Sequence, residues 1–337
     1  MCSLVDKFTT NYYLCSLVCL RRVQLSKDFF MKIVLPVAGN GLRLRPYTED
    51  RPKCLLPLAG KTIIDWIVED ASCLKPSETI FITGYKAEKM DEYLKTKPEW
   101  GNVRTVLQSN PQGLGEAISL ALPYVNDDEP LLIILGDTLF EADLSILNDA
   151  QENILYTYKV EDPKRFGVAV VGENGLIDRL VEKPQEFVSD EAIVGIYYIK
   201  DVKALKDALK YLMDNDIRTK NEFQLTDALE MMIEQGCKFR TAPVSRWLDC
   251  GLVETLLDTN AHILKRNDNS KEMAAPGVEI IPPCFIGKGA KIHGCKIGPF
   301  VAIGEGCELS GVEIRDAIVW NGVKISNGVV KNTVVHK

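Results

Sequence analysis

The chain has 337 residues, 46% of them hydrophobic and 26% charged, which is the balance of a globular protein with a sizeable buried core. Its formal net charge of −7 argues against a nucleic-acid-binding surface, because phosphate backbones are bound by clustered lysine and arginine. An acidic chain can still bind a nucleotide through a few local cations and backbone amides.

Cysteine and histidine usage argues against two further classes of site. None of the ten cysteines forms a close CxxC pair, and the three histidines are scattered along the chain. A zinc site is therefore not expected, and a disulfide framework is implausible in a chain of this length. Reduced thiols indicate a cytoplasmic protein.

The first thirty residues differ from the rest. The apolar run Tyr12–Leu20 is too short to span a bilayer, and the charges of Arg21 and Arg22 follow it. A secretory signal has its positive charge before the apolar stretch. We therefore expect residues 1–30 to be a disordered extension or the product of an upstream start, with Met31 as the natural first residue and no membrane partner.

From Met31 onward, short apolar runs alternate with stretches of helical periodicity. The predicted strands are Lys32–Val37, Thr79–Thr83, Val103–Leu107 and Leu131–Leu135. The predicted helices between them are Ile63–Cys73, Ala87–Lys95 and Leu114–Leu122. This alternation predicts a Rossmann-like α/β domain with a mostly parallel sheet. Ligands of such sheets bind beyond the carboxyl ends of the strands, so we expect the chemistry in the loops after Val37 and Leu135.

After Ala150 the pattern changes to strands joined by turns, followed by helices. The predicted strands are Ile154–Lys159, Gly167–Val171, Ile177–Glu182, Ala192–Ile199 and Lys238–Val244. The predicted helices are Val202–Met213, Phe223–Gln235 and Leu252–Lys265. Polar residues then break the pattern, so we expect a catalytic domain over residues 31–265 and a linker over 266–279.

The C-terminal part carries a six-residue apolar repeat. Aliphatic residues recur at that spacing in two sets, separated by one five-residue step: Ile280, Ile286 and Ile292, then Ile297, Ile303 and Leu309. This period predicts a short left-handed parallel β-helix over residues 280–335, with about three coils of roughly 18 residues each. Such a tail suits oligomer contacts or a cap on the catalytic domain, and we expect a homo-oligomer.

A loop containing glycine and arginine follows the first predicted strand. Gly39 and Gly41 allow the backbone to approach an anion closely, and Arg43 and Arg45 can neutralise phosphate charge. Lys53 adds a further cation. The pattern G-x-x-x-x-G-K-[ST] is absent, so the loop is not a Walker P-loop.

The segment G-x-G-x-R-L-x-P-x-T, followed by P-K, resembles the signature loop of the sugar-phosphate nucleotidyltransferases. Seven further blocks follow in that family's order: Gln108–Leu114, Leu135–Asp137, Phe166–Val168, Val181–Pro184, Val194–Tyr197, Gln224–Asp227 and Trp247–Gly251. The resemblance covers residues 31–265, and within the family it is nearest to glucose-1-phosphate thymidylyltransferases with a hexapeptide-repeat tail.

The resemblance implies a role for each block. Nucleotide binding falls on Ala38, Gly39, Gly41, Gln108 and Gly113, where the Gln108 side chain and the Gly113 backbone contact the base. Sugar-phosphate binding falls on Gly167, Glu182, Lys183 and Gly195. Catalysis falls on Arg43, Lys53, Asp137, Lys183 and Asp249, with Asp137 and Asp249 as Mg²⁺ ligands. Ala38, Leu42 and Thr138 depart from the family's commoner residues, which bears on nucleotide choice and efficiency rather than on reaction class.

These residue types suit nucleotidyl transfer. The nucleophile is a sugar-phosphate oxygen that is already ionised near neutral pH, so catalysis needs positioning and charge stabilisation rather than a general base. Asp137 and Asp249 are hard oxygen donors of the kind that Mg²⁺ prefers. Taken alone, Asp249 would as readily be a helix N-cap ahead of Leu252. We interpret Cys54 and Cys250 as packing residues.

We therefore predict transfer of a nucleotidyl group from a nucleoside triphosphate, dTTP or UTP, to a hexose 1-phosphate, with glucose 1-phosphate favoured. One alternative is a regulatory paralogue that binds sugar nucleotides, although such a protein would be expected to lack some of the cations or carboxylates present here. Another is a hexapeptide-repeat acyltransferase, which would need a base between its coils. His293 is the only histidine well inside the repeats, and we interpret it as an exposed turn residue.

Overall fold

The computed structural model describes residues 31–272 and 277–336, so the extension predicted over residues 1–30 lies outside the described part. The strands up to residue 249 are β1 Lys32–Pro36, β2 Pro57–Leu58, β3 Lys61–Thr62, β4 Glu78–Thr83, β5 Val103–Leu107, β6 Leu131–Ile134, β7 Thr138–Glu141, β8 Asn153–Lys159, β9 Gly167–Val171, β10 Ile177–Glu182, β11 Glu191–Ile199, β12 Phe239–Pro243 and β13 Arg246–Asp249. The helices are α1 Ile63–Ala71, α2 Ala87–Leu94, α3 Leu114–Ala121, α4 Val202–Asp214, α5 Leu225–Glu234 and α6 Val253–Leu264. None of these described helices has the length and apolar content needed to cross a membrane.

The main sheet has nine strands in the order β10-β9-β11-β6-β1-β4-β5, and β8 pairs with both β11 and β12. Strands β6, β1, β4 and β5 run parallel, which confirms the parallel arrangement predicted for the first half of the chain. Strand β11 runs antiparallel to β6, β8 and β9, so the second half of the sheet is largely antiparallel. The carboxyl ends of β1 and β6 are neighbours, and the loops that follow them meet at one edge.

The side chains of the central strands point alternately into two separate cores. In β1, Ile33 and Leu35 face the core that also holds α1 and α6, whereas Val34 faces the core formed with α3, α4 and α5. Helix α1 starts with a capping box in which the Thr62 hydroxyl accepts from Asp65 N and the Asp65 carboxylate accepts from Thr62 N. Because both faces of the sheet are covered by helices, functional groups reach solvent only at the strand ends.

Four short strands of the α/β part, β2, β3, β7 and β13, were not predicted. Strands β7 and β13 form a separate antiparallel ribbon, in which Asp249 lies opposite Thr138 and Arg246 lies opposite Glu141. Each strand has four residues, too few for a period-two pattern to stand out in the sequence. The ribbon brings two segments more than a hundred residues apart in the chain to the same edge of the main sheet.

The C-terminal part is a coiled parallel sheet. Its strands are β14 Glu279–Ile280, β15 Cys284–Ile286, β16 Lys291–His293, β17 Lys296–Ile297, β18 Val301–Ile303, β19 Glu308–Val319 and β20 Lys324–Val335. Every pairing among them is parallel, and equivalent residues stack in columns such as Ile280, Ile297, Ile314 and Val330. Successive members of this column are 17, 17 and 16 residues apart, slightly closer than the interval of about 18 that the hexad repeat predicts.

The coiled sheet packs against the α/β part through a shared core. The core that contains β1 and α1 continues without a break into the columns of Ile297 and Ile314. The described part of the predicted linker is tied to both sides: Asn267 Nδ2 donates to Ala59 O at 2.6 Å, and Asn269 Nδ2 donates to Ile286 O at 2.9 Å. The tail is therefore anchored to the sheet rather than tethered beside it.

Candidate functional site

The loop between Ala38 and Lys53 is held in a defined shape at the carboxyl end of β1. Gly41 has a φ of +58°, and a Cβ atom there would lie 2.9 Å from the Thr48 side chain, so only glycine fits without strain. The fully buried Thr48 donates its hydroxyl to Gly41 O at 2.9 Å. Ala38 accepts from Tyr85 N at 3.1 Å, which joins the loop to the end of β4. The space beside Gly39 is open, as a ligand approaching the backbone would require.

The cations of this loop face a cleft of about 570 Å³. Gly39, Gly41, Arg43 and Lys53 line it together with Asp137 from the loop after β6. Lys53 Nζ lies 2.7 Å from Asp137 Oδ2, and the Lys53 side chain is only 12% exposed. Arg45 is exposed and is not among the lining residues, so the sequence-based expectation for this arginine has no counterpart in the cleft.

Asp137 and Asp249 converge on one edge of the sheet, as their blocks predicted. Asp137 directly precedes β7, and Asp249 ends β13 opposite Thr138, so the register of the ribbon places the two residues at the same end of it. Both line a second cleft of about 280 Å³. Asp249 is thus a strand residue, and Leu252 is the N-cap of α6, so the helix-cap interpretation of Asp249 is wrong. Among the described residues, no group of three or more His, Cys, Asp or Glu side chains forms a metal cluster.

The second cleft also holds the residues predicted to bind the sugar phosphate. Glu182 accepts a hydrogen bond from Thr226 Oγ1 at 2.8 Å and lies 3.1 Å from Lys183 Nζ. Gly167 begins β9 beside Glu182, where a Cβ atom would meet the Glu182 carboxylate at 3.0 Å. Gly195 lies in β11, and its carbonyl accepts from Leu135 N at 2.9 Å. All four residues predicted to bind the sugar phosphate therefore line the same cleft as Asp137.

The predicted base-contacting residues lie at the neighbouring strand end. Gln108 follows β5, and its backbone N–H donates to Thr83 O at 2.7 Å. Gly113 has a φ of +126°, and a Cβ atom there would lie 2.5 Å from Phe223 O, so packing alone already requires glycine. Neither residue lines the two clefts, but Leu114, the next residue along, lines both.

Two residues that contact the predicted site were missed by sequence reasoning. Thr226 orients Glu182, and Glu116 accepts from Gln108 Nε2 at 2.6 Å. Thr226 lies within the Gln224–Asp227 block and Glu116 lies two residues beyond the Gln108–Leu114 block, but nothing in their spacing indicates their partners. The signal that could have found Glu116 is its place in the first turn of a helix that begins directly after Gly113.

Cys54 lines the first cleft but is buried, whereas Cys250 and His293 line neither of the two clefts. Burial raises the pKa of Cys54 to about 12, and burial likewise raises the pKa of Cys250 to about 12. Both thiols are therefore protonated at neutral pH and poor nucleophiles, in agreement with their interpretation as packing residues. His293 ends β16 with an exposed side chain on the outside of the coil.

Comparison with known proteins agrees with this geometry. The family model described as nucleotidyl transferase matches residues 32–266. The low-salt glycan biosynthesis nucleotidyltransferase Agl11 of Haloferax volcanii is 29% identical over 317 residues, covering 86% of this chain and 87% of the relative. A glucose-1-phosphate thymidylyltransferase of Streptomyces antibioticus is 27% identical over 316 residues, covering 86% and 87%. The crystal structure of UDP-glucose pyrophosphorylase complexed with UDP-glucose superposes with a TM-score of 0.61 at 25% identity, covering 70% of this chain and 99% of that one.

The matched span runs from the first strand of the main sheet to the end of α6, and it contains every residue that lines the two clefts. The two relatives extend the similarity through most of the chain. The chain therefore belongs to the nucleotidyl transferase family, among the sugar-phosphate nucleotidyltransferases.

Proposed function

We propose that this protein transfers a nucleotidyl group from a nucleoside triphosphate, dTTP or UTP, to a hexose 1-phosphate, with glucose 1-phosphate favoured. The observation that carries the proposal is that the two clefts meet. Asp137 lines both the cleft with Arg43 and Lys53 and the cleft with Glu182 and Lys183. Two polyanionic substrates bound one in each cleft would meet beside this carboxylate.

The reaction forms one bond to the α-phosphorus and breaks another. An oxygen of the sugar phosphate attacks the α-phosphorus of the triphosphate, and the bond to the β-phosphate oxygen breaks, releasing pyrophosphate with the electron pair. Arg43 and Lys53 would neutralise the triphosphate and the departing pyrophosphate. Lys183 would hold the incoming phosphate, and Glu182, oriented by Thr226, would accept a hydrogen bond from a sugar hydroxyl.

The carboxylates of Asp137 and Asp249 fit Mg²⁺, which binds proteins through one or two carboxylates and takes its other ligands from phosphates and water. A bound Mg²⁺ would supply charge neutralisation at the phosphates. Because Asp137 contacts Lys53 at 2.7 Å, we expect that ion pair to open when metal and triphosphate bind. Lys53 would then be released to a phosphate oxygen.

The choice of nucleotide and sugar rests on support of different kinds. The relatives include a thymidylyltransferase, and a similar structure is a pyrophosphorylase complexed with UDP-glucose, so a pyrimidine nucleotide and glucose 1-phosphate are the substrates to test first. The name of the Agl11 relative specifies neither. The nucleotide and the sugar are therefore to be identified by measuring turnover with each of them.

The test is pyrophosphate release over a matrix of dTTP, UTP, CTP, ATP and GTP against several sugar 1-phosphates, with Mg²⁺ and with EDTA. We expect turnover only when Mg²⁺, dTTP or UTP, and a hexose 1-phosphate are all present. Tight nucleotide-sugar binding without turnover would indicate the regulatory paralogue instead. Acyl transfer from an activated thioester, abolished by His293→Ala, would indicate the acyltransferase.

We further propose a division into a catalytic domain over residues 31–265, a linker over 266–279 and a left-handed β-helix over 280–335 in a cytoplasmic homo-oligomer. The parallel columns of the tail, 16 to 17 residues apart, support the β-helix. Sedimentation of the purified chain tests self-association, and a monomer at micromolar concentration would contradict the oligomer.

A further inference from the structure

We propose that Glu116 is a positioning residue that fixes the side-chain amide of Gln108, and that this arrangement selects nucleotides whose base presents a ring N–H. The inference deepens the proposed function and rests on it, because it concerns the nucleotide end of the same sheet edge. One contact there, between Gln108 and Glu116, has no role in the proposed reaction.

That contact joins a buried amide to a carboxylate. Gln108 is only 6% exposed, and its Nε2 donates to Glu116 Oε2 at 2.6 Å. The same carboxylate oxygen accepts from Gln112 N at 3.2 Å. Glu116 lies in the first turn of α3, where the helix dipole favours a negative charge. The carboxylate is thus held by the helix and the loop, and the amide follows it.

A carboxylate can only accept hydrogen bonds, so the amide has one allowed orientation. If the Gln108 side chain were flipped, its carbonyl oxygen would face the Glu116 oxygen at about hydrogen-bond distance with no proton between them, which is repulsive. Nε2 must therefore point to Glu116, and Oε1 must point away from it. Within residues 31–272 and 277–336, no group donates to Gln108 Oε1, and this atom is not among the enclosed polar atoms that lack a partner.

Gln108 accordingly offers a fixed acceptor just after β5, next to the end of β4. Uracil and thymine carry an N–H at ring position 3 that can donate to such an acceptor, whereas cytosine has an acceptor nitrogen there. A site built to accept a hydrogen bond rejects a ligand that cannot donate, because its buried oxygen loses water without gaining a partner. We expect the wild-type protein to favour UTP and dTTP over CTP by at least about 100-fold.

The decisive variant is Glu116→Gln. Its amide keeps the size of the carboxylate but can donate as well as accept, so the Gln108 amide becomes free to take either orientation. The ratio of kcat/KM for UTP over CTP should fall by about tenfold or more, mainly through KM. The dissociation constants of UTP and CTP, measured by titration calorimetry with Mg²⁺, should show the same fall.

Glu88→Gln is the matched control. Glu88 occupies the first turn of α2, the preceding helix in the chain, with an exposed side chain, so its replacement removes a comparable charge from a helix start. The UTP to CTP ratio should stay at the wild-type value. Gln108→Ala completes a double-mutant cycle with Glu116→Gln. In the Gln108→Ala background, Glu116→Gln should not change the UTP to CTP ratio further, because the Gln108 amide is gone.

The outcomes are separable. If folded Glu116→Gln loses affinity for every nucleotide by the same factor, Glu116 only stabilises the start of the helix and the inference is overturned. An unchanged UTP to CTP ratio also overturns it. If Glu116→Gln does not fold, the ratio of Gln108→Ala decides, and an unchanged preference overturns the inference. A wild-type protein that binds UTP over CTP but releases no pyrophosphate refutes the proposed function alone. A wild-type protein that binds UTP and CTP equally well refutes the inference.

Discussion

The α/β part and the coiled tail place their polar groups differently. In the α/β part, the cations and carboxylates of the clefts gather where strands end, next to Gly39, Gly41 and Gly136. In the tail, aliphatic residues stack inside in columns, and ion pairs such as Lys324 with Glu308 lie on the outside. The polar groups of the clefts therefore lie where regular structure stops, whereas the uninterrupted repeat of the tail supplies packing.

The two parts are nevertheless joined at the signature loop. Tyr47 donates its hydroxyl to Val334 O at 3.2 Å, and its ring lies 5.0 Å from the His336 ring. The Arg51 guanidinium lies 4.3 Å from the centre of the Trp320 ring. The tail has no residue in either cleft, yet it supports the loop that forms one of them.

The largest effect is expected from the carboxylates of the α/β part. Asp137→Asn should lower turnover by about 10²–10⁴-fold, because the charge that would hold the metal is removed while shape is preserved. The free energy of unfolding should fall by about 1 kcal/mol, since the half-buried Lys53 loses its partner. Steady-state pyrophosphate release and thermal unfolding measure the two effects.

Asp249→Asn is the companion variant. It should show a rate loss of the same order with a smaller change in stability, because the Asp249 carboxylate has only a 3.5 Å contact with Thr255 Oγ1. Near-normal turnover of either variant at ordinary Mg²⁺ concentration would contradict the metal proposal. Loss of activity that merely follows unfolding would indicate a structural role.

Core variants of the tail should show the opposite pattern, with a large loss of stability and little loss of turnover. Ile314 is fully buried between Ile297 and Val330, and Ile314→Ala should lower the free energy of unfolding by about 2–5 kcal/mol. Its kcat at a temperature where it remains folded should stay near the wild-type value. Val329→Ala, at a residue 59% exposed on the adjacent coil, is the control and should change stability by less than about 0.5 kcal/mol. Equal losses of stability in the two variants would show that the inner column does not carry the stability of the tail.

Acid should destabilise the α/β part before the tail. Burial, the largest influence, raises the pKa of Asp65, but hydrogen bonds from Lys97, Tyr93 and Thr62 together hold this pKa below its usual value. A depressed pKa means that the stabilisation is complete above the unfolded pKa of about 3.9 and is lost as the pH falls through the folded value. Asp65→Asn should cost about 1–3 kcal/mol at pH 7 and progressively less below pH 4.

Glu308→Gln is the tail counterpart in that experiment. A hydrogen bond from Lys324 lowers the pKa of Glu308, but this carboxylate is solvent-exposed and screened by salt. Denaturant unfolding at pH 7 and pH 3 should therefore show a pH-dependent penalty for Asp65→Asn and none measurable for Glu308→Gln. A pH-dependent loss of stability of the same size in both variants would contradict the expectation that acid destabilises the α/β part before the tail.

The smallest effect concerns the junction. Tyr47→Phe deletes the hydrogen bond from the signature loop to the tail, which is worth about 0.5–1.5 kcal/mol, and should raise KM for the triphosphate by up to about tenfold with little change in kcat. Tyr85→Phe deletes a bond from the α/β part to the same loop, at Glu49 O. That bond is exposed, so water can replace it and KM should change less. The reverse order would show that the tail does not support the loop.

Several elements could be predicted because their signals are local. Strands β1, β4, β5 and β6 and helices α1 to α3 follow from periodicity within short windows, and their boundaries differ from prediction by only one or two residues. The signature loop follows from glycine and arginine spacing, since its shape is held by contacts over a few positions, such as Thr48 with Gly41. The repeat in the tail is local in the same way, because each coil reproduces the preceding one.

The α/β layering, the stacking of the tail and most of the predicted site residues in the clefts thus follow from the sequence, although Ala38, Gln108 and Gly113 line neither cleft. Three contacts follow only from the folded arrangement: the β7–β13 ribbon brings Asp249 beside Thr138, Thr226 orients Glu182, and Val334 meets Tyr47. Each of these contacts joins residues that are tens to hundreds of positions apart. Periodicity and local spacing carry no information about such partners, because they are set by how whole layers pack.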